Sequence, residues 1–107
     1  MSNLNAEADA LPRAWSSRVL ERFGGGNFKV LRMDGTPYPN EVHGYAEGFL
    51  VIDGQLRLRI GDEAVTVSRG ELYVVPAGVS HSVDAGSAGT LVILDVQEER
   101  RLPPQAV

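Results

Sequence analysis

The sequence contains no cysteine among its 107 residues. This absence excludes disulfide bonds, zinc fingers of the cysteine type, thiolate nucleophiles and iron–sulfur clusters. Histidine is also scarce, since His43 and His81 are the only two in the chain. Any metal site must therefore be built from these two imidazoles and from carboxylates.

Long apolar runs are missing as well. No stretch approaches the roughly 20 residues that are needed to span a bilayer, and Met1–Asp9 lacks the basic and apolar regions of a secretory signal. The 10 basic residues are scattered among 14 acidic ones, which leaves a net charge of -4 and no basic cluster of the kind that binds nucleic acids. These features predict a cytoplasmic protein that binds neither membranes nor nucleic acids.

What the chain does contain suffices for one hydrophobic core. Hydrophobic residues make up 43% of the sequence and charged residues 22%, which is ordinary for a globular protein. The length is close to the commonest single-domain size, and both ends are polar or rich in charge and proline. We therefore expect a flexible N-terminal tail at residues 1–13, one domain at residues 14–97 and a C-terminal tail at residues 98–107.

Short apolar runs recur about every 8 to 12 residues between Gly, Pro, Asp and Asn, which is typical of an all-β domain. Asp53-Gly54 predicts a hairpin turn. After it, Leu56 and Leu58 should face inwards, and Arg57 should face the solvent. Residues 15–23 fit a helical or an extended pattern, and we favour a strand that turns at residues 24–26. The other predicted strands are 29–33, 64–67, 72–75, 82–83 and 91–96.

Three of the runs, at residues 49–52, 72–75 and 91–94, are apolar on both faces. In a sheet with one face exposed to solvent, apolar and polar residues should alternate along each strand. Both faces of these strands are therefore expected to be covered. One cover would be the interior of a barrel. The other is either a second subunit, which we favour because soluble oligomers are commonly homodimers, or the N-terminal segment folded over the sheet.

A motif near the C-terminal third carries a resemblance to a known family. It consists of Gly70, five residues, Pro76-x-Gly78, two residues and His81. This spacing resembles the second motif of the cupins, and Glu47 and Gly54, with six residues between them, resemble the end of their first motif. The resemblance covers about residues 28–96 and implies a small antiparallel barrel, a double-stranded β-helix of the jelly-roll type.

In that family, His-x-His and a glutamate of the first motif join the histidine of the second motif around one metal ion. If three residues separate the pair from the glutamate, Glu41 and His43 occupy the two histidine places. They are two apart and share a face of a strand, so the resemblance implies a metal site of Glu41, His43, Glu47 and His81. Such ligands suit Mn, Fe, Ni or Zn.

A spacing of four residues leads to the opposite result. Asn40 and Val42 then occupy the two places, and because valine cannot ligate, the barrel would hold a metal-free cavity. The asparagine that ends the family's second motif is also replaced here, by Ala85. Separately, Gly44 next to His43 is typical of a turn, in which His43 would face the solvent.

Three functions are compatible with these patterns. The first is a metal-dependent enzyme acting on a small polar metabolite, such as a dioxygenase, an isomerase or a decarboxylase. The second is a binding module whose barrel holds a small ligand without a metal. The third is a structural homodimer without catalysis. No catalytic residue is assigned, because the sequence does not fix which side chains line the pocket.

Overall fold

The computed structural model describes residues 1–96, so the predicted C-terminal tail at residues 98–107 lies outside the described residues. Within the described part the chain forms one short helix and eight strands. In chain order these are α1 (Leu4–Asp9), β1 (Arg18–Phe23), β2 (Gly26–Asp34), β3 (Tyr38–Glu41), β4 (Glu47–Ile60), β5 (Glu63–Ser68), β6 (Leu72–Val75), β7 (His81–Val83) and β8 (Ala88–Val96).

All strand pairs are antiparallel, and the central strand is β4. Its first half pairs with β6 on one side and β8 on the other, and its second half pairs with β5 and β7. The longest path through the sheet runs β1-β2-β8-β4-β7-β3. A strand shared in this way curls the sheet around one interior, and the predicted all-β, double-stranded β-helix is confirmed.

The strand predictions agree with the structure to within a few residues. The uncertain segment at residues 15–23 is a strand only from Arg18 onwards, and it turns back before Gly26 to pair with β2. The expected alternation after residue 55 is confirmed, because Leu56 and Leu58 are buried and Arg57 is exposed.

The predicted hairpin at Asp53-Gly54 is wrong. The chain runs on through both residues as part of β4 and turns back only after Ile60, at Gly61. Gly54 does have a positive φ of 79°, but this conformation serves a bulge, where the register against β8 shifts between Val51 and Asp53. The Asp53-Gly54 pair, which is typical of a tight turn, here lies at a bulge in the pairing of β4 with β8, a strand distant in the sequence.

The segment 1–13, expected as a flexible tail, contains helix α1. Asn3 caps the helix, and its side-chain Oδ1 accepts a hydrogen bond from the N–H of Ala6 at 3.0 Å. Ala8 is fully buried, and the guanidinium of Arg32 on β2 donates to the carbonyl oxygens of Ala8 and Leu11, each at 2.9 Å. The expectation missed this helix because six residues show little periodicity. No helix in residues 1–96 is long and apolar enough to cross a membrane.

The sheet has an inner and an outer face, which alternate along each strand. The inner face carries the main core, which includes Leu31, Met33, Phe49, Val51, Leu56, Leu58, Val67, Val75, Val83, Leu91 and Ile93. On the outer face, Val30 and Val92 are fully buried where α1 packs against β2 and β8. The N-terminal segment thus covers part of the outer face.

Candidate metal centre

Four side chains with metal-ligating atoms converge inside the barrel. They are Glu41, His43, Glu47 and His81, and one ligand atom of each lies within 4.8 Å of those of the others. The structure thus brings together all four residues that the three-residue spacing predicts. The four-residue spacing instead places Asn40 and Val42 at the site, but both are exposed and lie outside this group.

Three separate stretches of chain deliver these groups. Glu41 ends β3 and is paired with His81, the first residue of β7. Glu47 begins β4 and shares the inner face with Phe49 and Val51, as its phase along the strand predicts. His43 lies in the connection between β3 and β4.

The turn before His81 is tied to the loop that carries His43. The backbone N–H of Gly78 donates to the carbonyl oxygen of His43 at 2.8 Å, and the side-chain amide of Asn40 donates to Ser80 Oγ at 2.6 Å. Gly78 has a φ of 79°, a conformation that glycine adopts without strain. These bonds hold the loop of His43 against the turn that precedes His81, and the two imidazole centroids lie 5.8 Å apart.

The ring orientation of His81 is set by its backbone partner. Its Nδ1 lies 3.1 Å from the carbonyl oxygen of Val79. Because a carbonyl oxygen only accepts, Nδ1 carries the proton, and in the neutral ring Nε2 holds a lone pair. This nitrogen points into the site, 3.2 Å from Glu47 Oε1. Histidines that bind metals are commonly held in this way by a backbone carbonyl.

His43 approaches the same carboxylate from the other side. Its Nε2 lies 3.5 Å from Glu41 Oε1 and 3.6 Å from Glu47 Oε1. Its ring stacks on Tyr45, with centroids 4.9 Å apart and planes inclined by 12°. The ring is therefore held in the site, and the reading in which His43 faces the solvent at Gly44 does not describe this structure.

Glu47 is the acid most affected by its surroundings. Its relative exposure is 6%, and burial raises its pKa above the ordinary value, while the two imidazoles act in the opposite direction. The nearby carboxylates of Glu41 and Asp95 raise the pKa further. Because the buried Glu47 carboxyl group faces imidazole nitrogens, either a proton or a cation must lie between the carboxyl group and these nitrogens.

The donor set fits a divalent metal ion. Two imidazole nitrogens and two carboxylate oxygens suit first-row ions and zinc. Ligand atoms bound to one ion at about 2.0–2.2 Å lie at most about 4.4 Å apart, and the measured separations of 3.2, 3.5 and 3.6 Å are compatible with this. The lone pair of His81 directed at the carboxylate is the feature that such an ion would satisfy.

The four residues lie in the wall of a cavity of about 160 Å³. Its lining is largely aromatic and aliphatic and includes Trp15, Leu31, Tyr38, Tyr45, Phe49, Val83, Leu91 and Ile93. The rings of Tyr38 and Tyr45 are thus both part of the cavity wall.

Sequence reasoning missed two charged residues of the cavity, Lys29 and Asp95. Lys29 Nζ lies 2.6 Å from Asp95 Oδ2, and the Asp95 side chain is only 3% exposed. The strand pattern carried a signal for both, because Lys29 is in phase with the inward Leu31 and Asp95 with the inward Ile93. Trp15 was missed as a lining residue because it precedes the first strand.

Solved structures with the same fold support this architecture. A cupin-2 domain protein from Shewanella frigidimarina is 27% identical, with a TM-score of 0.82 over 90% of this chain and 94% of that chain. Protein NMB1881 from Neisseria meningitidis is 23% identical, with a TM-score of 0.77 over 91% and 99%. Hydroquinone 1,2-dioxygenase PnpCD, in complex with Cd²⁺ and 4-hydroxybenzonitrile, is 18% identical, with a TM-score of 0.76 over 90% and 72%.

None of the curated proteins matches the chain. The family model of the cupin domain matches residues 30–97, which is more than half of the chain and includes both motifs. The chain therefore belongs to the cupin family.

Proposed function

We propose that this cupin binds one divalent metal ion through Glu41, His43, Glu47 and His81, and that it binds or transforms a small polar metabolite beside that ion. The observation that carries the proposal is the orientation of His81. Its Nδ1 lies within hydrogen-bond distance of the Val79 carbonyl oxygen, so in the neutral ring the lone pair on Nε2 faces the Glu47 carboxylate. This arrangement is prepared for a cation.

A bound Mn, Fe, Ni or Zn ion would supply Lewis acidity to an oxygen atom of the ligand. The protein's own contribution is to position and to exclude water. Phe49 meets the His81 ring edge to face, with centroids 5.8 Å apart, and Tyr45 covers the His43 ring. These aromatic contacts restrict both imidazoles to the orientation in which they face the cavity. The likeness to a dioxygenase solved with Cd²⁺ is compatible with this chemistry.

The test is elemental analysis of tag-free protein before and after incubation with Mn, Fe, Ni or Zn salts. The proposal predicts about one ion per chain, and Glu47→Gln and His81→Asn should each lower the retained metal by at least about tenfold. Glu63→Gln is the matched control, because Glu63 is an exposed carboxylate on β5. Circular dichroism shows whether each variant is folded. Wild-type protein that takes up none of the four ions contradicts the proposal and favours a metal-free binding module.

We also propose that the protein is a homodimer. The outer face of β6, β4 and β8 leaves four apolar side chains exposed: Leu72 at 54%, Val74 at 52%, Leu94 at 36% and Val96 at 43%. Val74 and Leu94 are both paired with Gly48 of β4, and an added Cβ at Gly48 would contact the side chains of Leu94 and Leu72. A contiguous apolar patch of this kind is typical of an interface between subunits.

A further inference from the structure

Lys29 is the only lysine in the sequence, and it points into the barrel. Lysine side chains usually lie in the solvent, whereas the Lys29 side chain is 22% exposed and pairs with a carboxylate that is 3% exposed. Burial of both charges costs desolvation energy that their attraction often fails to recover. A purely structural role therefore explains this pair poorly, because two apolar side chains would fill the same space at a lower cost.

The hydrogen bonds of Asp95 show which group remains available for a ligand. Oδ1 of Asp95 accepts a hydrogen bond from the side-chain amide of Asn27 at 3.0 Å, and Oδ2 contacts the Lys29 ammonium at 2.6 Å. Both carboxylate oxygens are thus engaged with protein donors. The ammonium carries three N–H groups, so it has donors left for a group within the cavity.

The charge of the lining determines when a negative group is accepted. The described residues that line the cavity include three carboxylates, those of Glu41, Glu47 and Asp95, and one ammonium group, that of Lys29. A divalent ion bound at the centre would balance these charges. An anionic ligand should therefore enter the metal-loaded cavity far more readily than the metal-free one.

The shape of the cavity is set in part by a strained tryptophan. Trp15 has a φ of 64°, which is unfavourable for a bulky residue and usually persists only where the surroundings enforce it. Its backbone N–H donates to the carbonyl oxygen of Arg32 at 2.9 Å, and its indole N–H donates to Asp34 Oδ1 at 2.9 Å and to Thr36 Oγ1 at 3.2 Å. These bonds fix the ring in the cavity wall.

The indole therefore offers its apolar ring to the cavity, because its N–H is already bonded. Tyr38 lies beside it, with centroids 5.6 Å apart and planes inclined by 39°. Together the two rings form an aromatic wall in the same cavity as the Lys29 ammonium. Flat rings pack favourably against such walls.

We propose that the cavity binds a small planar-ring anion whose ring lies against Trp15 and Tyr38 and whose negative group is held by Lys29. Lys29 is thus a specificity-determining residue, and Asp95 is a positioning residue that holds the ammonium. The inference rests on the proposed metal centre, because the bound ion supplies the charge balance.

The experiment uses full-length, tag-free protein loaded with Zn²⁺, which is not redox-active and so does not consume the probes. Trp15 is the only tryptophan in the chain, so its fluorescence reports directly on the cavity wall. Three probes are titrated: benzoate, benzyl alcohol as the uncharged ring, and cyclohexanecarboxylate as the saturated anion. Benzoate should bind at least about tenfold more tightly than either of the others.

Lys29→Met should weaken benzoate binding by at least about tenfold and change benzyl alcohol binding by less than about twofold. The double variant Lys29→Met/Asp95→Asn avoids an unpaired buried carboxylate and should show the same loss if the single variant folds poorly. Arg69→Met is the matched control, since it removes an exposed positive charge that does not line the cavity. Zinc content is measured in every sample.

The outcomes separate the two proposals. Full zinc content with no preference for benzoate, or with benzoate binding unchanged in both Lys29 variants, overturns the planar-anion proposal and leaves the metal centre intact. If the wild-type protein binds no zinc, the metal centre fails, and the titrations are repeated without metal. In that case, benzoate binding by the metal-free wild type that is lost in the Lys29 variants would still support Lys29 as the residue that holds the negative group. If the metal-free wild type does not bind benzoate, this role of Lys29 is overturned.

Discussion

The carboxyl group of Glu47 shows how strongly one side chain depends on its neighbours. It is buried at the start of β4, contacts His81 and lies close to His43. Burial is the largest cause of its raised pKa, and the two imidazoles only partly oppose it. In the metal-free protein the folded chain therefore holds the Glu47 proton more tightly than the unfolded chain does.

This difference predicts a pH dependence of stability. As the pH rises from the ordinary pKa of a glutamic acid through the raised pKa of Glu47, the free energy of unfolding should fall, by at most about 1.4 kcal/mol per pH unit for this group. Glu47→Gln should remove this decline, because the amide does not ionise. Urea denaturation across a pH series with a chelator present measures the effect. Glu63→Gln should behave as wild type, and matching pH profiles for Glu47→Gln and wild type would contradict the prediction.

His81 and Glu47 could be predicted from the sequence better than the rest of the site. The resemblance to the cupins implies that these two residues lie together, and the structure places them together. Trp15, in contrast, belongs to no strand, and its place in the wall depends on hydrogen bonds to Arg32 and Asp34, which no local pattern encodes. Asp34 remains a good acceptor, since hydrogen bonds from Thr36 lower its pKa most, followed by the bond from the Trp15 indole.

At the scale of the strands, β4 and β8 approach each other unusually closely. Gly54 and Gly89 are paired, and both have positive φ values, 79° and 112°. A Cβ at Gly54 would overlap the carbonyl oxygen of Ala88, and one at Gly89 would overlap that of Asp53. The Asp53-Gly54 pair predicted a turn because local rules cannot distinguish a glycine needed for a turn from one needed for contact with another strand.

Alanine at either position should therefore destabilise the barrel. We expect Gly54→Ala and Gly89→Ala each to lower the free energy of unfolding by about 2–4 kcal/mol, since backbone overlap adds to an unfavourable φ. Gly25→Ala is the control, because the space around Gly25 is open and its φ is not positive, and it should change stability by less than about 0.5 kcal/mol. Chemical denaturation measures all three. Equal effects at positions 25, 54 and 89 would show that the close approach is unimportant.

At the scale of the whole molecule, the N-terminal segment covers one part of the outer face and leaves another part exposed. The sequence left open whether a partner or the N-terminal segment covers it. Helix α1 packs against β2 and β8, the strands of the buried Val30 and Val92, whereas Leu72, Val74 and Leu94 remain exposed. Apolar alternation predicts that a face is covered, but it does not identify the covering element, which depends on packing between distant segments.

The exposed patch leads to a prediction about assembly. Sedimentation should show a dimer for the wild type and a monomer for Val74→Lys/Leu94→Lys, because burying two ammonium groups against an apolar partner is costly. Ala64→Lys, at an exposed position of β5, should remain dimeric. A wild type that is monomeric at micromolar concentration would rule out the dimer, and zinc content shows whether each variant retains its barrel.

The four candidate ligands lie on stretches of chain that are neighbours only after the sheet has curled. The hydrogen bond from the Gly78 N–H to the His43 carbonyl joins the turn before His81 to the loop that carries His43. A shortened chain that stops before residue 81 would thus hold only part of the ligand set, and an incompletely closed barrel would separate the parts. Metal affinity is expected to act as a gauge of complete folding, and added ions should protect the closed form alone against proteolysis.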